Sequence, residues 1–185
     1  VLNWEDFDRV DAPVTLGVPF PIGDLPSVDN VKLLDEDFRE VPAQFKPLAF
    51  WPDGSIMWLL VDFTCFVKGG GEAIFYLEYG EEVERTDFGS SLSIVDVGDA
   101  IYVYTGSMNL TIDKTAGVFR NIYIDSDEDG RLDLLAAREL YFNVQDVNGI
   151  LYSSKLAKPS VEVESRGPLR AVVKIRGAHV SSTED

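Results

Sequence analysis

The sequence predicts an all-β fold. Short runs of alternating apolar and polar residues recur from end to end, they are punctuated by Gly, Pro, Asn and Asp, and no long stretch keeps a 3.6-residue apolar period. Val14–Phe20 and Val31–Asp35 read as the first strands. Pro13, Pro19, Pro21 and Pro26 make the chain around them an edge or an extended loop, because proline cannot donate to a sheet ladder. Leu48–Trp51 and Ile56–Phe63 form a hairpin closed by Pro52-Asp53-Gly54-Ser55, the residues a tight turn requires. Gly69-Gly70-Gly71 turns the chain into a strand over Ala73–Tyr79. The polar, glycine-flanked stretch 81–91 is the expected linker, giving domains over 1–80 and 92–185.

Past the linker, strands are expected over Leu92–Val95, Ile101–Thr105, Met108–Ile112 and Val118–Ile124, and a short helix over Leu132–Glu139. Leu140–Gln145 and Ile150–Ser153 make a hairpin closed at Asn148-Gly149. In the last hairpin, a turn at Arg166-Gly167-Pro168 sets Glu164 opposite Arg170 and Val163 opposite Ala171. One face then carries Glu162, Glu164, Arg170 and Lys174, and the other buries Val161, Val163, Ala171 and Val173. Opposite charges across strands contribute about 0.2–1 kcal/mol per pair, enough to favour one register. The polar tail Ser181–Asp185 follows the final strand.

A chain of 185 residues, 45% of them hydrophobic, can bury a core without disulfides. Lys and Arg number 16 against 32 Asp and Glu, a formal net charge of −16 that repels phosphate backbones and anionic lipid, so nucleic acid is excluded as an expected partner. No apolar run reaches the roughly twenty residues that span a bilayer as a helix. The single Cys65 sits in the apolar run Leu59–Val67 and reads as a core thiol. The amino end has neither an initiator methionine nor a signal-peptide pattern and reads as a processed or truncated start.

The stretch Asp125-Ser126-Asp127-Glu128-Asp129-Gly130-Arg131-Leu132-Asp133 asks for a specific chemistry. A hard divalent cation such as calcium takes six to eight oxygens, and alternating carboxylates followed by glycine let a short loop curl around it. Asp125, Asp127 and Asp129 supply the first ligands, Gly130 the turn, the Arg131 carbonyl another ligand, and Asp133 a further one directly or through water. These match positions 1, 3, 5, 6, 7 and 9 of an EF-hand loop, but Ala136 stands where the bidentate glutamate belongs, so the last ligand must come from Glu139 or water. The strand-like Val118–Ile124 precedes the loop in place of an entering helix. The expectation is a structural calcium site on a strand-to-strand loop. The competing account is a solvated acidic turn, which five mutually repelling carboxylates in nine residues make less natural. Calcium and an acidic surface together point to an extracellular setting, secreted or at the cell surface.

No pairing of nucleophile and base, phosphate loop, dinucleotide fingerprint or zinc cluster is present, so no catalytic residue is expected. His179, the one histidine, reads as a surface or edge residue. Aromatic residues are plentiful, and most on strands belong to cores. Trp51, beside the turn at Pro52, and Trp58 are the candidates for stacking against sugar rings.

Ala12–Gly23, Val41-Pro42-Ala43-Gln44 and Trp51-Pro52-Asp53-Gly54-Ser55 through Phe63 resemble the amino-terminal region of exo-rhamnogalacturonan-lyase-like proteins, and Val161–Val173 resembles a second landmark of the same proteins. The resemblance implies a small RIFT-type β-barrel followed by a β-sandwich-like domain, with the lyase chemistry in parts beyond this chain. It implies as partners a polysaccharide or further domains of the same protein. The aspartate loop is not one of that family's marks. The resulting expectation is a non-catalytic front end of a secreted polysaccharide-acting protein. The alternative is a calcium-binding extracellular structural subunit that self-assembles through strand edges.

Overall fold

A computed structural model describes residues 1–90, 92–136 and 139–181. The described residues are almost entirely strand and turn, in agreement with the all-β expectation. The chain divides into two compact units, Val1–Gly89 and Ser90–Asp185.

The first unit contains β1 (Arg9–Pro19), β2 (Val31–Leu34), β3 (Glu40–Val41), β4 (Ala43–Phe50), β5 (Ile56–Val67) and β6 (Tyr76–Tyr79). They form two antiparallel sheets, ordered β1-β5-β4 and β3-β2-β6. Both strands that contain prolines, β1 with Pro13 and Pro19 and β4 with Pro47, lie at sheet edges, where a missing N–H costs no ladder bond. Strand β5 alternates sharply. Leu59, Val61, Phe63, Cys65 and Val67 face a core shared with Ile56, Phe20, Leu25, Val31 and Leu33. Fully burying such an aliphatic or phenyl side chain is worth about 1.5–3 kcal/mol, so this strand is the main apolar contribution of the unit. Burial pushes the Cys65 thiol above its ordinary value, which suits a core residue and not a nucleophile.

The expected hairpin turn is present. Trp51 N–H donates to Ser55 O at 2.8 Å and Gly54 N–H to Trp51 O at 2.9 Å, with Gly54 at φ +87°. Asp53 Oδ1 accepts from the Ser55 hydroxyl at 2.6 Å and from the Ser55 N–H at 3.0 Å. These two bonds, the hydroxyl first, hold the Asp53 carboxyl below the ordinary aspartate value. The amino-terminal segment is tied down by buried Asn3, whose Nδ2 donates to Phe7 O at 2.8 Å, Lys68 O at 3.2 Å and Val67 O at 3.3 Å. Gly69 lies under that segment so closely that a Cβ there would sit 2.5 Å from Asp6 O.

Part of the stretch read as a linker packs on the first unit. Val83 is buried, Asn30 Nδ2 donates to Glu81 O at 3.2 Å, and the Thr86 hydroxyl donates to Glu40 Oε2 at 2.8 Å. Residue 91 of that stretch lies outside the described residues.

The second unit contains β7 (Ser93–Val97), β8 (Ala100–Tyr104), β9 (Met108–Asp113), β10 (Val118–Ile124), β11 (Asp133–Ala136), β12 (Asn143–Gln145), β13 (Leu151–Ser153), β14 (Ser160–Ser165), β15 (Val172–Arg176) and β16 (Val180–Ser181). An antiparallel meander ordered β11-β10-β9-β8-β7 is accompanied by a β12-β13-β16 sheet and a β14–β15 hairpin, several sheets as a sandwich-like domain requires. Ile101, Ile112 and Val118 are buried. Buried Asp113 closes the turn between β9 and β10: Oδ1 accepts from the Thr115 hydroxyl at 2.6 Å and the Thr115 N–H at 2.7 Å, and Oδ2 pairs with Arg120.

Two expectations are corrected here. The helix expected over Leu132–Glu139 is, over Asp133–Ala136, strand β11, paired through Ile124↔Asp133 and Tyr123↔Leu134. A partner strand supplies ladder bonds at once, whereas an eight-residue helix falls short of the length at which nucleation is repaid. Residues 137–138 of that helix, and 182–185 of the polar tail, lie outside the described residues. In the last hairpin Val163 pairs with Val173 and Glu162 with Lys174, two residues further along than expected. The connection is longer than the Arg166-Gly167-Pro168 turn, and a bulge between Val163 and Ser165 takes Glu164 out of the ladder. Lys174 Nζ nevertheless reaches Glu162 and Glu164, both at 3.0 Å, and these bonds raise its affinity for the proton.

Candidate functional site

Because Ile124 of β10 pairs with Asp133 of β11, the acidic stretch is the connection of a hairpin, a strand-to-strand loop as the sequence predicts. Its entrance is fixed where Asp125 N–H donates to Ser107 O at 2.9 Å. Glu128 at φ +60° and Gly130 at φ +81° then bend the backbone back on itself. Asp125 Oδ2 accepts from Gly130 N–H at 3.0 Å, and Asp129 Oδ1 accepts from Arg131 N–H at 2.8 Å.

The fold brings together three of the expected ligands. One carboxylate oxygen from each of Asp125, Asp127 and Asp129 lies within 4.8 Å of the others. Two oxygens bound to one calcium at about 2.4 Å can be at most about 4.8 Å apart, so these separations stay within the span of one ion's ligand shell. Asp125 Oδ1 is buried without a hydrogen-bond partner. A carboxylate oxygen removed from water and left unpaired is costly, and a cation is the partner that would repay it. The donor set therefore fits a hard divalent ion. Asp133, exposed at the start of β11, stands outside this group, and Glu139 accepts from the Tyr141 hydroxyl. Arg131 is exposed and contributes its backbone N–H to Asp129.

The two tryptophans proposed for sugar binding are in different situations. Trp51 is half-buried, and its Nε1 donates to Phe20 O at 2.9 Å, so its polar edge is already used inside the first unit. Trp58 is 43% exposed on the outward side of β5. A Cβ on Gly17 would lie 3.5 Å from Trp58 Cε3 and 3.7 Å from Cζ3, so the indole rests against bare backbone. Sequence reasoning passed over Lys46, which stands opposite Leu60 on the same outward face; its signal was the alternation of polar Gln44 and Lys46 along β4.

His179 lines a cavity of about 310 Å³ in the second unit with Phe142, Ser154, Pro159 and Ile175. Among the described residues no carboxylate lines it.

Residues 2–62 match the pattern of the family described as PcRGLX-like N-terminal RIFT barrel domain. Over 177 residues the chain is 33% identical to the "Uncharacterized protein YetA" of Bacillus subtilis (strain 168), a stretch that is 93% of this chain and 20% of that protein. The chain thus spans about a fifth of the length of this relative.

Proposed function

On the premise that residues 2–62 form the amino-terminal RIFT barrel of the PcRGLX-like proteins, we propose that this chain is a non-catalytic front end of a polysaccharide-acting protein. Its role is to support the parts of such a protein that do chemistry on a glycan. The observation that carries the reading is the family match, which falls on an amino-terminal RIFT barrel domain over residues 2–62.

The acidic loop belongs to the same reading. It holds calcium through Asp125, Asp127 and Asp129, with the Arg131 carbonyl, Asp133 and water as the remaining candidates, and it pins the β10–β11 hairpin. The buried, unpartnered Asp125 Oδ1 supports this assignment. With three carboxylates in an exposed loop, the affinity belongs to the weak range of extracellular modules, about 10⁻⁴–10⁻³ M, and so to a secreted or cell-surface setting.

The test is an elimination assay. The 185-residue chain incubated with rhamnogalacturonan should give none of the ultraviolet absorbance of an unsaturated uronate. Added to a PcRGLX-like lyase whose own front end has been deleted, it should restore part of the lost thermal stability. Absorbance produced by the chain alone would end the non-catalytic assignment.

A further inference from the structure

We propose that the outward face of the β1-β5-β4 sheet binds a carboxylate-bearing sugar ring, with Trp58 as the stacking platform and Lys46 as the partner of the carboxylate. The inference rests on the polysaccharide reading above and gives it a place on the barrel.

Directly opposed residues in an antiparallel ladder share a face, and so do residues two apart on one strand. Leu60 is opposed by Gly17 on one side and Lys46 on the other, and Asp62 by Thr15 and Gln44. With Leu59 and Val61 committed to the core, Trp58, Leu60 and Asp62 look outward, and Gly17, Thr15, Lys46 and Gln44 look outward with them. The next positions beside Trp58 are Pro19 and Ala49, both small enough to leave the indole uncovered. An indole lying against the backbone of Gly17 with 43% of the residue in water is a flat apolar floor. A pyranose has one face of C–H bonds and a rim of hydroxyls, which suits a flat aromatic floor flanked by polar side chains.

Charge selects which sugar. The chain has twice as many acidic as basic residues, and three of the other lysines are spoken for: Lys32 by Glu78, Lys114 by Asp96, Lys174 by Glu162 and Glu164. Lys46 is half-buried and makes no ion pair or hydrogen bond among the described residues. The nearest carboxylate along this face, Asp62, is only 5% exposed and accepts from the Thr15 hydroxyl, so it presents little charge to solvent. Lys46 opposes Leu60, two residues along β5 from Trp58, and the irregularity of β4 between Pro47 and Ala49 falls between Lys46 and the residue opposite Trp58. The flexible lysine stem can follow a carboxylate carried by a ring seated on the indole.

The experiment titrates the 185-residue chain with an oligouronate and with its carboxyl-reduced neutral counterpart of equal length, reading calorimetric affinity and the Trp58 indole N–H resonance. Melting curves establish that each variant is folded. The oligouronate should shift that resonance and bind at least tenfold more tightly than the neutral sugar. Trp58→Ala should weaken both ligands tenfold or more, while Lys46→Gln should leave the neutral sugar unchanged and abolish the preference. Oligouronate binding that neither substitution alters would overturn this site and leave the polysaccharide reading standing. Binding of neither sugar would also overturn it, whereas the front-end reading is decided separately by the elimination assay.

Discussion

Asp125 and Gly130 close the acidic loop on itself: one carboxylate oxygen accepts the glycine N–H at 3.0 Å, and the other is buried with no partner. The loop is thus already curled, with an unsatisfied oxygen in its wall. Calcium should stabilise the second unit, since a ligand bound only by the folded state stabilises it by about 2.7 kcal/mol at a hundredfold excess over its dissociation constant. For a unit of this size that is roughly 10–20 °C in melting temperature. Scanning calorimetry with calcium and with chelator should show the shift in the wild type and its loss in Asp127→Ala. Identical melting curves in the two conditions would remove calcium from the account.

Asp53 sets a pH dependence in the first unit. Its folded value lies below the ordinary one because of the Ser55 hydroxyl and N–H. Its contribution is therefore fully present above the unfolded aspartate value of about 3.9 and fades as pH falls through the lower folded value. In Ser55→Ala the Asp53 carboxyl should titrate at higher pH, followed by NMR, and acid unfolding of this unit should begin at higher pH than in the wild type.

Much of this was legible in the sequence. The Pro52-Asp53-Gly54-Ser55 turn and the Asn148-Gly149 turn carried their conformation in residue type, and β5 and β10 carried theirs in alternation or β-branched content. What the sequence concealed was decided by partners distant along the chain. Leu132–Ala136 has no strong strand preference of its own, and only pairing with Tyr123 and Ile124 makes it β11. The two-residue error in the last hairpin came from a connection longer than the Arg166-Gly167-Pro168 turn, a length no local residue type announces, of which the bulge at Glu164 takes back one residue. The same holds for the candidate site: the spacing of Asp125, Asp127 and Asp129 was readable, but the difference between Trp51 and Trp58 depends on Phe20 O and Gly17.

Arg120 neutralises Asp113, which is 5% exposed and already saturated on its other oxygen by Thr115. Arg120→Met should leave a buried charge without its partner and cost roughly 1–3 kcal/mol. Asp113→Asn combined with Arg120→Met should recover part of that loss, because the uncompensated charge is gone. Urea unfolding of the three variants measures it, and a neutral Arg120→Met would show the pair to be dispensable.

Gly69→Ala should detach the amino-terminal segment, because the added methyl meets backbone at Asp6, which cannot rotate aside. A loss of about 1–3 kcal/mol is expected for such overpacking. Faster hydrogen exchange at Asn3 and Gly70 N–H, which bond to Gly71 O and Glu5 O, should report the release. Unchanged protection at both would show that the segment is held by other contacts.

The order of strands in the sheets has a consequence for synthesis. In the meander of the second unit each strand pairs with its neighbour in sequence, so every hairpin can close as soon as its second arm exists. In the first unit β1 must wait for β5, with Pro19 meeting Trp58 only after the whole intervening chain has been made. Closing that longer loop is entropically dearer, and contacts of long sequence separation fold more slowly. The unit made first is thus the slower to complete, and during that interval the apolar side of β1, Val14 and Val18, waits for its partner strand while a ribosome is already producing the faster unit behind it.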